Sequence, residues 1–328
     1  MKKLFRVLTS LACLSLSATA QAQTFPSKSV TIIVTAAAGG VTDVVARAIG
    51  QRLSEKWGQQ VIIENKGGGA HIVGAQAVAN ATPDGHTLML AEAGTYVVNP
   101  NLYPKDKMPV DIERDFIPIT GLVRIHHALI TAPKFSAGSV ADVVEMAKKK
   151  PGDITYGTAG IGSGPHVNVV RLENVAGIKL TAIHYRGATP SLNDVMGDHT
   201  NMMLISVSSA LPNFRQGQVK MLGIGSAKRL PQVPDVPTIA EGGNLPGFIA
   251  GTWFGLAVTG GTPRPIVDKI NTDVRAIMAE PAFKERFLAK QLYEPMDSSP
   301  EEFRAYIRAE TQTWGRVIRE QNLVIGGH

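Results

Sequence analysis

Cysteine is almost absent. Cys13 is the one thiol in 328 residues, and it lies in a segment that reads as a cleaved leader. A chain processed there has no disulfide, no thiolate metal site and no cysteine nucleophile. The signatures of covalent and phosphate chemistry are missing too. Ser163 has Ile161 and Pro165 two residues to either side, so the nucleophile elbow is absent. Neither glycine-rich loop ends in Gly-Lys-Ser/Thr, and Gly160-Ile161-Gly162 meets Pro165 where a dinucleotide loop needs glycine or alanine. The eight histidines are dispersed apart from His126 and His127, without metal-ligand spacing. A lone histidine such as His86 or His199 reads as a surface or packing residue. These absences argue against an enzyme, a metal site and a cofactor.

The first apolar run, Val7 to Leu16, is too short to span a bilayer. Met1, Lys2, Lys3 and Arg6 precede it, and Ala18-Thr19-Ala20 and Ala20-Gln21-Ala22 offer small-residue cleavage sites. Residues 1–22 are therefore expected to be a secretory signal peptide cut after Ala22, and the mature chain a soluble, periplasmic protein. Leu11-Ala12-Cys13 faintly matches a lipoprotein acylation site, but Ser10 stands where an aliphatic residue is wanted and the apolar run continues past the cysteine. The formal charge of +6 falls by three when Lys2, Lys3 and Arg6 leave. The remaining cations are mixed among acids, and Lys148-Lys149-Lys150 suits a helix C-terminus before Pro151. No nucleic-acid footprint is present.

What the chain does have is a rhythm. Val30 to Thr35 is a β-branched run suited to a strand buried on both faces, and Val41, Val44, Val45, Ala48, Ile49 and Leu53 then recur at helical spacing. Strands are predicted over Val61–Glu64, Thr87–Ala91, Ile154–Gly157, Leu180–Tyr185 and Met202–Val207. Helices are predicted over Gly74–Asn80, Val140–Lys149, Val167–Val175 and Ser191–Met196, and after Pro263 over Ile266–Ala279, Ala282–Lys290 and Glu301–Arg319. The alternation predicts an α/β fold with helices flanking mainly parallel sheets. Two extended apolar segments, Phe116–Thr131 and Val219–Ser226, are placed to cross between two lobes. The expected division is 23–125 plus 226–328 for the first lobe and 126–225 for the second.

In such sheets ligands sit beyond the carboxyl ends of strands, which singles out three loops. The first contains Ala37, Ala38, Gly39, Gly40 and Asp43. The amides of Gly39, Gly40 and Val41 lack intrahelical partners, the helix dipole points its positive end there, and small side chains let an anion approach. A tight turn explains the same residues, and Asp43 reads either as a helix-capping charge or as a ligand contact. The second loop, with Thr158, Ala159, Gly160, Gly162, Ser163 and His166, repeats the design and adds hydroxyl donors. Two anion cradles, one per lobe, suit a ligand with carboxylates. The third loop brings Tyr185, Arg186, Gly187 and Pro190, where Arg186 is either a ligand cation or a surface charge. Lys66-Gly67-Gly68-Gly69-Ala70-His71 reads as a flexible turn.

The segments "FPSKSVTIIVTAAAGGVTDVVARAIGQRL", "VIIENKGGGAHIVGAQAVANATPDGHTLML", "NPNLY", "PGDITYGTAGIGSGPH", "HYRGATPSLNDVMG" and "VPDVPTIAEGG" resemble the Bug, or tripartite tricarboxylate transporter, substrate-binding proteins. The match runs from about Phe25 to the C-terminus. The resemblance implies a type II periplasmic binding protein fold, two α/β lobes closing on an organic acid, which can be a dicarboxylate, tricarboxylate, amino acid or aromatic acid. It implies that Ala38-Gly39-Gly40 and Thr158 to Ser163 hold carboxylate oxygens, partly through waters, and that Arg186, Gly187 and Pro190 close the pocket. It also implies delivery to membrane permease subunits. The alternative is a receptor that presents its acid to a membrane sensor. A monomer is expected. His71 and Ile72 stand where the family usually has glycine and asparagine, His86 replaces a usual tyrosine, and Thr35-Ala36 replaces the common proline and aromatic.

Overall fold

The computed structural model describes residues 25–320 apart from 69–70 and 105–106, so the leader read over residues 1–22 lies outside the described residues. In chain order the first half of the fold runs β1 (Val30–Val34), α1 (Val41–Trp57), β2 (Val61–Asn65), α2 (Ile72–Ala79) and β3 (Thr87–Glu92). A π-helical turn at Gly94–Val98 follows, with short helices α3 (Asn99–Leu102) and α4 (Ile112–Asp115). The long strand β4 (Phe116–Thr131) then leads into α5 (Val140–Lys149), β5 (Thr155–Thr158), α6 (Gly164–Ala176), β6 (Thr181–His184), α7 (Ala188–Met196), β7 (Met202–Ser206), α8 (Val207–Arg215), β8 (Lys220–Ile224) and α9 (Ile239–Gly243). The chain returns through β9 (Gly251–Thr259) to α10 (Arg264–Ala279), α11 (Pro281–Phe283), a π-helical turn at Lys284–Ala289, β10 (Glu294–Pro295) and α12 (Pro300–Glu320).

The β-branched sequence of β1 is buried because β2 and β3 pair with it in parallel on either side. Its carboxyl end therefore points out of the sheet together with those of its neighbours. In the second half β5, β6 and β7 form the corresponding parallel trio. The two trios are joined through β9 and β4, in the order β2-β1-β3-β9-β4-β7-β5-β6, with β8 and β10 also on β4. Each half is thus an α/β layer with a parallel core and antiparallel strands on its inner side.

The sixteen residues of β4 belong to both halves. Phe116 to His126 pair with β9, whereas His127 to Thr131 pair with β7. The return crossing lies beside it: the His127 amide donates to the Ala250 carbonyl and the Ala250 amide to the Gly225 carbonyl. Apolar packing follows this division. Val45, Ile49 and Leu53 of α1 join Leu88, Ile270 and Val274 in one cluster, and Tyr96, Trp253, Phe303 and Ile307 centre a second. Leu129, Val140, Tyr156 and Leu172 belong to a third cluster, and Ile130, Met203 and Ile224 to a fourth. Residues 226–250, expected with the first lobe, pack into the second half through Val233, Val236, Ile239, Leu245 and Phe248. The extended segment at Val219–Ser226 holds β8, a strand of that half paired with β4, and the chain returns to β9 some 25 residues later, at Ala250-Gly251. The C-terminal α12 lies on the first half, where Asn101 donates to the Thr311 carbonyl at 3.1 Å. No described helix is long and apolar enough to cross a membrane, and no described group of three or more His, Cys, Asp or Glu is arranged to hold a metal.

Candidate functional site

The first loop leaves β1 at Thr35 and enters α1 at Val41. Ala37, Ala38, Gly39 and Gly40 are all exposed. Gly67 makes room for this loop, since a Cβ there would lie 2.9 Å from the Ala37 amide nitrogen. Asp43 is only 4% exposed and its carboxylate accepts from the Gly39 amide at 2.9 Å and from Arg47 Nε at 3.0 Å. Burial works against its charge, but these hydrogen bonds and the Arg47 guanidinium hold the carboxyl below the usual aspartate range. Asp43 thus fastens the turn from inside the helix. Gly40 is the N-cap of α1 without a side-chain cap, and the amides of Gly40 and Val41 have no partner among the described residues. They are the open donors of this loop.

The second loop is differently arranged. The Gly160 amide donates to Thr158 Oγ1 at 3.2 Å, the Gly162 amide to His166 Nδ1 at 3.2 Å, and the Ser163 amide and hydroxyl both donate to the Gly160 carbonyl. Most of the donors expected to face an anion are therefore engaged within the loop. Ala159 sits half-buried in it, and Thr158, Ser163 and His166 are buried. Burial, with His184 close by, pushes the His166 imidazole down to about 4, and burial lowers His184 as well, so both rings are neutral near pH 7. Thr158 Oγ1 also pairs with His184 Nδ1 at 2.9 Å. In the third loop Arg186 is exposed and makes no ion pair among the described residues, Gly187 has φ 130° and Pro190 is exposed in the first turn of α7. Tyr185 turns inward, its hydroxyl bonded to Asp194 at 2.6 Å and Thr200 at 3.0 Å. That anchors the loop and fixes where Arg186 emerges.

Between the first and second loops stands the end of β3, which the sequence reading passed over. Glu92, the last residue of that strand, is 8% exposed. It pairs with His71 Nε2 at 3.0 Å, and the backbone amide of Gly164 at the start of α6, on the other half, favours its charged form. His71 Nδ1 lies 2.8 Å from the Thr35 carbonyl oxygen. Burial opposes the charge of both groups, yet each holds the other ionised: Glu92 is drawn below and His71 above its ordinary range. Gly94 completes the contact, because a Cβ there would come within 2.9 Å of the Gly162 carbonyl oxygen. Behind it His127 is buried, its imidazole pushed down to about 4 by burial. Asn168 beside it donates to the Gly164 and Gly251 carbonyls at 2.8 Å. The rule that located the glycine loops, the carboxyl edge of the sheet, also applies to Glu92 in "TLMLAE" and was the available signal. The structure thus brings the first and second loops to opposite sides of the β3 terminus, with the third flanking the second.

Residues 45–323 match the family model described as tripartite tricarboxylate transporter family receptor. A protein from the tcbD-tcbE intergenic region of a Pseudomonas species is 33% identical over 322 residues, covering 97% of this chain and 94% of its own. Among solved structures, one of an R. palustris protein with adipate superimposes with a TM-score of 0.85 at 30% identity, covering 91% of this chain and 98% of that one. The periplasmic binding protein BugD gives 0.83 at 31% identity, covering 92% and 99%.

Proposed function

The chain belongs to the tripartite tricarboxylate transporter receptor family, and from that premise we propose that it captures a small organic carboxylate between its two halves and hands it to a membrane permease of the tripartite tricarboxylate type. The family is one of substrate-binding receptors and not of enzymes, and its fold is that of periplasmic binding proteins. The lobes of this reading are the two halves separated at His126-His127 and Ala250-Gly251. The leader at residues 1–22 would deliver the chain to the periplasm.

The observation that carries the reading is the first loop. The unpartnered Gly40 and Val41 amides stand at the positive end of a helix of 17 residues behind exposed Ala37 and Ala38. A carboxylate oxygen placed there gains charge-assisted hydrogen bonds and the helix field together. Arg186 offers an uncommitted cation on the facing half, and Gly187 and Pro190 frame it. The adipate in the similar R. palustris protein supports an organic acid as the ligand class.

Uptake of labelled acids tests the transport step. Cells lacking this chain should lose accumulation of one acid class, and cells lacking the partner permease should lose it equally. A receptor that serves a sensor instead would leave uptake intact in both strains and abolish a transcriptional response to the acid only when this chain is deleted.

A further inference from the structure

We infer that Glu92 sets the class of acid: the pole of the cleft where β3 meets α6 takes a hydrogen-bond-donating end of the ligand, an ammonium or a hydroxyl, and turns away a second carboxylate. The inference rests on the receptor reading above. Its starting point is an asymmetry between the two loops. On the first half the Gly40 and Val41 amides are open. On the second half the amides of Gly160, Gly162 and Ser163 are taken by Thr158, His166 and the Gly160 carbonyl. The first loop offers donors to a carboxylate; at the end of β3, beside the second loop, Glu92 presents a carboxylate of its own.

The ionisation of Glu92 follows from its partners. The Gly164 amide and the positive end of α6, a helix of 13 residues, favour the charged form. His71 Nε2 then donates to Glu92 while Nδ1 donates to the Thr35 carbonyl, so both ring nitrogens carry protons and the ring is an imidazolium. Both of its N–H groups are engaged, and neither remains for a ligand. The Glu92 carboxylate, by contrast, has about four acceptor directions, of which His71 fills one, and it keeps 8% of its surface exposed. A second ligand carboxylate brought there meets a like charge. An ammonium or hydroxyl finds an acceptor.

The test uses the intact protein stripped of carried-over ligand and triads of isosteric acids of equal chain length: γ-aminobutyrate, γ-hydroxybutyrate and succinate, then ω-aminohexanoate, ω-hydroxyhexanoate and adipate, then the longer homologues. Calorimetric titration should show the amino or hydroxy member of the binding triad at least roughly tenfold tighter than the diacid, as like-charge juxtaposition demands. The two donor arms separate ammonium from hydroxyl. Glu92→Gln, which keeps the shape and removes the charge, should shrink that ratio about tenfold. If the variant does not fold, the wild-type ratio decides alone. A wild-type preference for the diacid, or a ratio that Glu92→Gln leaves unmoved, overturns the inference while leaving the receptor reading standing. Absence of binding by every acid overturns the receptor reading itself.

Discussion

Replacing His71 with alanine removes the cation from a buried pair and leaves the Glu92 carboxylate without it. Alanine is the informative choice because His71 sits at φ 74°, and alanine inherits the same left-handed strain, so the backbone contribution cancels. Breaking a buried pair from one side costs about 3 to 5 kcal/mol. The side chains of His71 and Glu92 keep 16% and 10% exposure, which admits some water and places the expected loss near the lower end, about 3 kcal/mol. For a protein of this size that is a fall in Tm of roughly 5 °C. The loss should also depend on pH. His71 is raised above its ordinary 6.5, so its contribution is complete below 6.5 and disappears as pH rises through the raised value. Glu92 is drawn below its ordinary 4.5, so its contribution is present above 4.5 and disappears as pH falls through the lowered value. The gap between wild type and variant should therefore be widest from 4.5 to 6.5 and narrow in alkali. Urea unfolding across a pH series reads this directly, and a double-mutant cycle with Glu92→Gln isolates the pair. A loss below about 0.5 kcal/mol that is flat with pH would refute the ionised pair.

Three further substitutions separate binding from folding. Gly94→Ala places a Cβ 2.9 Å from the Gly162 carbonyl oxygen and 3.3 Å from Glu92 Oε1; relieving that overlap by holding the halves apart costs about 1 to 3 kcal/mol, so acid affinity should fall roughly tenfold or more, and an unchanged Kd by calorimetry would contradict it. Arg186→Ala should leave the urea midpoint within about 0.5 kcal/mol of wild type while weakening acid binding; a variant that binds normally removes Arg186 from the site. Asn168→Ala deletes a donor shared by the Gly164 and Gly251 carbonyls and should cost about 1 to 3 kcal/mol, measured by urea unfolding, and a neutral result would mean that water replaces the amide.

The parts of this fold that were legible are those whose signal is local. Val140–Lys149 has its helix where the apolar spacing placed it, opened by a capping box between Ser139 and Asp142. The β-branched run at Val30–Val34 is the doubly flanked strand its composition predicted. Phe116–Thr131 was recognisable as one long extended segment that crosses. The second crossing was not, because Lys220–Ile224 and Gly251–Thr259 are both apolar strands, and which of them pairs with which end of β4 is a tertiary fact. The same limit applies to the site. Loop composition singles out Gly39, Gly40 and the second glycine-rich loop, but not the partners of their amides. Asp43 lies four residues after Gly39 and was weighed as a cap. Glu92, by contrast, is influenced by the Gly164 amide from 72 positions away in sequence, a neighbourhood no spacing announces.

The central claim is that this chain binds a small organic carboxylate, and thermal unfolding of the ligand-stripped protein from Gln23 onward, against aliphatic, amino, hydroxy and aromatic acids, tests it most directly. An acid at about 100 times its Kd adds roughly 2.7 kcal/mol, which for this size raises Tm by several degrees; the account predicts such a shift for one acid class, abolished by Gly40→Trp in the open loop. A folded, empty protein whose Tm no acid in a broad panel moves would contradict it.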